Sequence, residues 1–203
     1  MTTRTLCSFS AILLAVSLAI PSYGVPLLGD PAAVISGVET FTSIGAPTGD
    51  LTADVEYAVY APGAYPGPAP IDPTLFTYAY QILNDVGGTV DVSQLSVGVL
   101  PGHSIPAGSV DDDPGYGTLP FDKFPTAAGL ASASVVWNFL GGLIDPGEIS
   151  STLIYQSPLP HIFTPSSVQN GGLSDTHDLP SPAPEPAAAL LLTASAVALL
   201  RRR

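Results

Sequence analysis

Leu51-Thr52-Ala53-Asp54-Val55-Glu56-Tyr57-Ala58-Val59 places Leu51, Ala53, Val55, Tyr57 and Val59 in one phase and Thr52, Asp54, Glu56 and Ala58 in the other. Successive side chains of a strand point to opposite faces, so this period of two predicts a β-strand with one buried face. Working outward, Phe76, Tyr78, Tyr80 and Ile82 repeat the pattern against Thr77, Ala79 and Gln81. Val90 and Val92 share one phase while Leu95, Val97 and Val99 take the other, which predicts a bulge near Ser93-Gln94 or two short strands. Ala131, Ala133, Val135, Trp137 and Phe139 read as one further strand, Leu153 and Tyr155 mark another, and 34–44 reads as a less regular first strand. The segments 61–73, 84–88, 101–125 and 141–147 between them are rich in Gly, Pro and Asp and read as loops.

No part of the middle of the chain sustains an apolar period of 3.6 residues. Strands without intervening helices predict an all-β antiparallel sandwich, for which an Ig-like topology is one candidate although the Cys-Trp-Cys spacing is absent. The composition agrees. With 11% charged residues, 22 Pro and 20 Gly in 203 residues, the chain is short of the charged residues that wet helix faces need and rich in turn-formers.

The charge is segregated. Arg4 lies near the start, Arg201, Arg202 and Arg203 close the chain, and Lys123 is the single basic residue between them. All 17 acidic residues fall between Asp30 and Glu185, so that region carries a net charge of −16. Its field repels phosphate backbones, which excludes nucleic acid as a partner. The only cysteine, Cys7, precedes the first apolar run rather than following it, so it does not sit where a lipoprotein cysteine would.

Both ends read as targeting segments. Arg4 supplies a positive start, 11–20 (AILLAVSLAI) an apolar core, Pro21 a helix breaker, and Ser22 and Gly24 the small residues that a signal peptidase reads. Residues 1–24 are therefore expected to form a signal helix that is removed after Gly24. At the other end, 180–186 (PSPAPEP) is stiff and extended because each Pro fixes φ. Ala187 to Leu200 follows as an uncharged helix-former that includes Leu190, Leu191, Leu192, Val197 and Leu199, and Arg201-Arg202-Arg203 ends the chain. As a helix the apolar stretch spans roughly 21 Å, short of a hydrocarbon core of about 30 Å, so it suits transient insertion better than permanent anchoring. The arginines stay cytoplasmic, and everything before the apolar stretch lies outside.

Pro184-Glu185-Pro186, the apolar helix and the arginine cluster resemble the PEP-CTERM sorting signal. The same short tail is also catalogued as an "ice-binding protein C-terminal" domain, a label that describes the tail and says nothing of ice. The resemblance covers residues 180–203 and implies an exosortase-type processing enzyme as partner, with signal peptidase and the membrane. It implies a Gram-negative-type host that secretes exopolysaccharide, a further expected partner. The expected route is transient residence in the inner membrane, then the outer surface or extracellular matrix. The organisation predicted is a signal peptide over 1–24, a β-sandwich over 25–165, a linker over 166–186 and the membrane helix with its basic stop over 187–203.

Within the middle, no pattern demands a cofactor or catalysis, and the expectation is a non-enzymatic protein. Gly102-His103-Ser104-Ile105-Pro106 lacks the second glycine and the following helix of a hydrolase elbow, and reads as a polar loop. Asp111-Asp112-Asp113 reads as a solvated turn, with weak Ca²⁺ binding as the alternative. His103, His161 and His177 are scattered, and His177 reads as a solvated linker residue. Asp54 and Glu56 share the polar face of a half-exposed strand. Trp137 is in phase with Val135 and Phe139, which favours the core. A sugar-stacking platform built from Trp137, Tyr57, Tyr78, Tyr80 and Tyr155 is the alternative that would make the protein a carbohydrate-binding module, and a secreted hydrolase is the third reading.

Overall fold

The computed structural model describes residues 25–45, 49–69, 71–131 and 133–185. The expected signal helix and C-terminal membrane helix lie outside them. Ten strands follow in order: β1 (Ile35–Gly45), β2 (Gly49–Tyr60), β3 (Phe76–Asn84), β4 (Gln94–Gly98), β5 (Val110–Asp113), β6 (Ala127–Ala131), β7 (Ser134–Asn138), β8 (Thr152–Ser157), β9 (His161–Asn170) and β10 (Leu173–Pro182). They form two five-stranded sheets, β1-β2-β3-β8-β5 and β10-β9-β4-β7-β6, in which every pair is antiparallel. The sandwich expected from the alternation is there. The order is not that of an Ig domain, because β1, β2 and β3 form a meander in one sheet where the Ig fold sends its third strand to the other.

The in-phase residues meet between the sheets. Leu51, Val55, Tyr80, Ile82, Leu153 and Tyr155 from the first sheet pack against Leu95, Val97, Val135, Trp137 and Val168 from the second. Trp137 is fully buried, and its Nε1 donates to the Asp111 carbonyl at 3.0 Å, tying the β7 side to β5 across the sandwich. The first sheet is also covered on its outer face, where Leu27, Ala58, Tyr60, Tyr65, Ala79, Tyr116 and Ile154 form a second apolar cluster. That second layer explains why β3 and β8 read as almost unbroken buried runs rather than alternating ones.

Three expectations need correction. The single strand expected over 131–139 is a hairpin, β6 and β7, with Ala131 paired to Ser134. Small Ala and Ser residues continue the alternation through the turn, which hides it. The loop expected over 101–125 contains β5, in which Asp111, Asp112 and Asp113 pair with Ile154, Leu153 and Thr152. And the stretch expected to be a linker from residue 166 is the rest of β9, all of β10 and two further residues held to the domain.

Candidate processing site at the end of the last strand

β10 pairs with β9 so that residue numbers on the two strands sum to a constant, Leu173 opposite Asn170 and Pro182 opposite His161. The Ala183 N–H continues this ladder by donating to the Pro160 carbonyl at 2.8 Å. In a strand, every second N–H points to the same edge, so the odd-numbered donors face β9. Pro180 and Pro182 occupy the opposite parity, where the missing N–H costs no ladder bond and leaves no outward donor for another chain. The repeating prolines thus allow this segment to be a strand, provided it is an edge strand. Tyr80 donates its hydroxyl to the Pro180 carbonyl, and Tyr78 donates to the Leu159 carbonyl at 2.8 Å, so the core grips the same end of the hairpin.

The Glu185 N–H donates to the Gly102 carbonyl at 3.0 Å. Ala183 and Pro184 are half-buried and the Glu185 side chain is exposed. The first two residues of Pro184-Glu185-Pro186 therefore lie just past the end of β10, tied to the domain through the Glu185 N–H. Pro186, Ala187, Leu190, Leu191, Leu192, Val197, Leu199, Leu200 and Arg201 to Arg203 lie outside the described residues, as do Ser22 and Gly24. Gly102 and Pro160 went unmarked in the sequence, since a backbone carbonyl leaves no trace in residue type.

No family model, curated protein or solved structure matches the chain.

The other residues singled out from the sequence occupy different places. Asp113 is buried. It accepts hydrogen bonds from the Tyr65 hydroxyl at 2.7 Å and the Ala69 N–H at 3.1 Å on Oδ2, and from the Gly115 N–H at 2.9 Å on Oδ1. The run is therefore a strand that ends in a buried anchor, not a solvated turn, and strand alternation parts Asp112 from its neighbours. Among the described residues, no group of three His, Cys, Asp or Glu side chains is arranged to hold a metal.

His177 is a strand residue rather than a linker residue. Its Nε2 lies 3.1 Å from Asp175 Oδ2, its Nδ1 lies 3.9 Å from Glu39 Oε2, and its ring meets Phe41 edge-on at 5.0 Å. Asp175 Oδ2 also accepts the Thr42 N–H at 2.6 Å, so β10 is stitched to β1 along one side of the sandwich. Asp54 sits on the half-exposed polar face as expected and accepts from Thr40 Oγ1 at 2.6 Å, while burial pushes the Glu56 carboxyl up. His103 and Ser104 lie in the loop that receives Glu185. His161 packs edge-on against Phe163.

Tyr57, Tyr78, Tyr80, Tyr155 and Trp137 are all buried, with Tyr78 stacked on Tyr155 at 4.8 Å, so these rings pack the core and present no face to a sugar. A second tyrosine cluster is equally inward. Tyr60 donates to Asp30 Oδ2 at 2.7 Å, and Tyr116 donates to the same oxygen. Burial, with the hydrogen bond to Asp30, pushes the Tyr116 hydroxyl up to about 12 and the Tyr60 hydroxyl higher still. These hydroxyls stay protonated and act as donors that hold the chain around Asp30 over the outer face of the first sheet.

Proposed function

We propose that this chain is an exported, non-enzymatic surface or extracellular-matrix protein whose C-terminal tail is a sorting signal. Signal peptidase removes residues 1–24. The segment from Ala187 to Arg203 holds the chain briefly in the inner membrane, and an exosortase-type enzyme cuts beside Pro184-Glu185-Pro186. The observation that carries this reading is the way Glu185 leaves the sandwich. Its backbone N–H is tied to the Gly102 carbonyl while its side chain faces solvent, two residues before the apolar stretch begins. Processing enzymes bind segments in a fixed conformation, and a segment already tied to its domain by a backbone hydrogen bond loses less conformational entropy on docking.

The test is the intact mass of the protein recovered from its native host. The expected species lacks residues 1–24 and the apolar tail, and Glu185→Ala retains the tail. Recovery of a mature species that still ends at Arg203 would turn the tail into an ordinary anchor and sink the sorting reading.

A further inference from the structure

The outer face of the second sheet differs from the rest of this acidic chain. β4, β6, β7 and β9 contain no Asp, Glu, Lys or Arg at all. On β10, Asp175 turns inward to the seam with β1 and only Asp178 is exposed on the outer side. Solvated faces of antiparallel sheets ordinarily carry charged side chains, which keep edges and faces from associating. A chain with 17 acidic residues has placed almost none of them here.

The register orders what remains. Ser174 stands opposite Gln169, Gln169 opposite Gln94, and Gln94 opposite Asn138, which makes one row across four strands. Two residues along, Thr176, Ser167, Ser96 and Val136 make a second row parallel to the first. Neighbouring strands lie about 4.8 Å apart and alternate residues on a strand about 7 Å apart, so the rows form a regularly spaced lattice of amides and hydroxyls. Gln169 Nε2 donates to Ser167 Oγ at 3.0 Å, joining the rows. The side chains of Gln94, Ser96, Asn138, Ser174 and Thr176 make no hydrogen bond or ion pair with another described residue. The amide row runs into a cleft of about 440 Å³ at the tip of the β9–β10 hairpin, where Leu140 supplies an apolar wall and Asn170 and Ser174 supply polar ones.

These features select a ligand class. Covering an amide or hydroxyl costs about 1–3 kcal/mol unless the partner replaces its hydrogen bonds, so an apolar partner would leave the lattice unsatisfied. An ordinary protein interface needs aromatic or aliphatic anchors at its centre, and the only sizeable apolar side chain in the rows is Val136. Anionic polymers are repelled by the surrounding charge. A neutral polyhydroxylated chain meets all three conditions, because each hydroxyl donates and accepts and no charge has to be desolvated. We propose that this face, centred on Gln94, Ser96, Asn138, Ser167 and Gln169, binds an uncharged polysaccharide. Binding there requires nothing of the tail, so it holds or fails separately from the sorting reading.

The test is native affinity electrophoresis of the full chain in a sugar-free detergent, with dextran, galactomannan or xyloglucan cast in the gel and alginate as the anionic contrast. The expected result is retardation by at least one neutral polymer and none by alginate. The pair Gln94→Glu with Asn138→Asp, which keeps side-chain shape and adds charge, weakens binding at least tenfold while unfolding stays cooperative and the circular dichroism spectrum is unchanged. Thr176→Arg, at an exposed position on the second row, weakens binding as well and serves if the double variant melts early. Retardation by none of the neutral polymers, equal retardation of wild type and variants, or retardation by alginate alone overturns the proposal. So does a homodimer in sedimentation that the double variant dissolves, which would make this face an interface between copies.

Discussion

Asp113 accepts from three donors belonging to two loops, and that concentration makes it the residue on which the outer layer of the first sheet depends. Replacing it with Ala strands the Tyr65 hydroxyl and the Ala69 N–H inside the protein, while the more exposed Gly115 N–H turns to water. Each buried group left unpaired costs about 1–3 kcal/mol, so Asp113→Ala is expected to lower stability by about 2–4 kcal/mol in a denaturant titration. Asp112→Asn should be neutral or slightly stabilising, because burial pushes the Asp112 carboxyl up and an amide removes the cost of ionising it. Equal losses at the two positions would show that the run acts as a unit. None of this is visible in the tripeptide, where three identical letters hide one buried anchor, one half-buried neighbour and one exposed residue. What separates them is strand parity, and parity becomes known only once β8 is their partner.

At the scale of elements, legibility followed the environment of each strand. β2 alternates in burial along its first half because one face meets the core there, and β3, though covered on both faces, still alternates large rings and Ile82 with Thr77, Ala79 and Gln81, so both were readable from spacing alone. β10 was not. Its inward positions are Leu173, Asp175, His177, Leu179 and Ser181, a mostly polar set, because Asp175 and His177 meet the backbone and Phe41 ring of β1 while Leu173 and Leu179 reach the core. Its prolines read as a linker since their compatibility with an edge strand depends on which parity faces the ladder. The processing site shared this fate, as its motif was legible while the carbonyls of Gly102 and Pro160 that hold it were not. Leu179 distinguishes a folded strand from a tether. It is fully buried in the main core, and Leu→Ala in such a place typically costs 2–5 kcal/mol, so Leu179→Ala is expected to destabilise the domain by about 3 kcal/mol. A change within a few tenths of a kcal/mol, measured by urea unfolding, would mean that β10 contributes no core packing.

For the whole molecule, the acidic charge and the folded state interact through two opposed sets of carboxylates. Burial pushes Asp30 up, yet hydrogen bonds from Tyr116, the Ala32 N–H and Tyr60 together outweigh it and hold that carboxyl below its ordinary value. Burial likewise opposes Asp175, and the N–H groups of Thr42 and Thr176 with the His177 ring bring it down. Glu56, Asp91 and Asp112 go the other way, pushed up chiefly by burial and also by neighbouring carboxylates. A carboxyl lowered in the folded state contributes stability that is present above its unfolded value and is lost as pH falls through its folded value. A raised one destabilises the fold at neutral pH, and that penalty disappears as pH falls through its raised value. Acidification from pH 7 also reduces the self-repulsion of a region carrying −16. The melting temperature is therefore expected to climb as pH drops, peak at roughly pH 4–5 near the ordinary carboxylate values, and fall steeply below that. Asp30→Asn should flatten the acid limb, because its native-state advantage no longer titrates, and Glu56→Gln should flatten the climb from neutrality. A melting temperature that declines steadily from pH 7 downward would mean that the hydrogen-bonded carboxylates outweigh both the buried ones and the net charge.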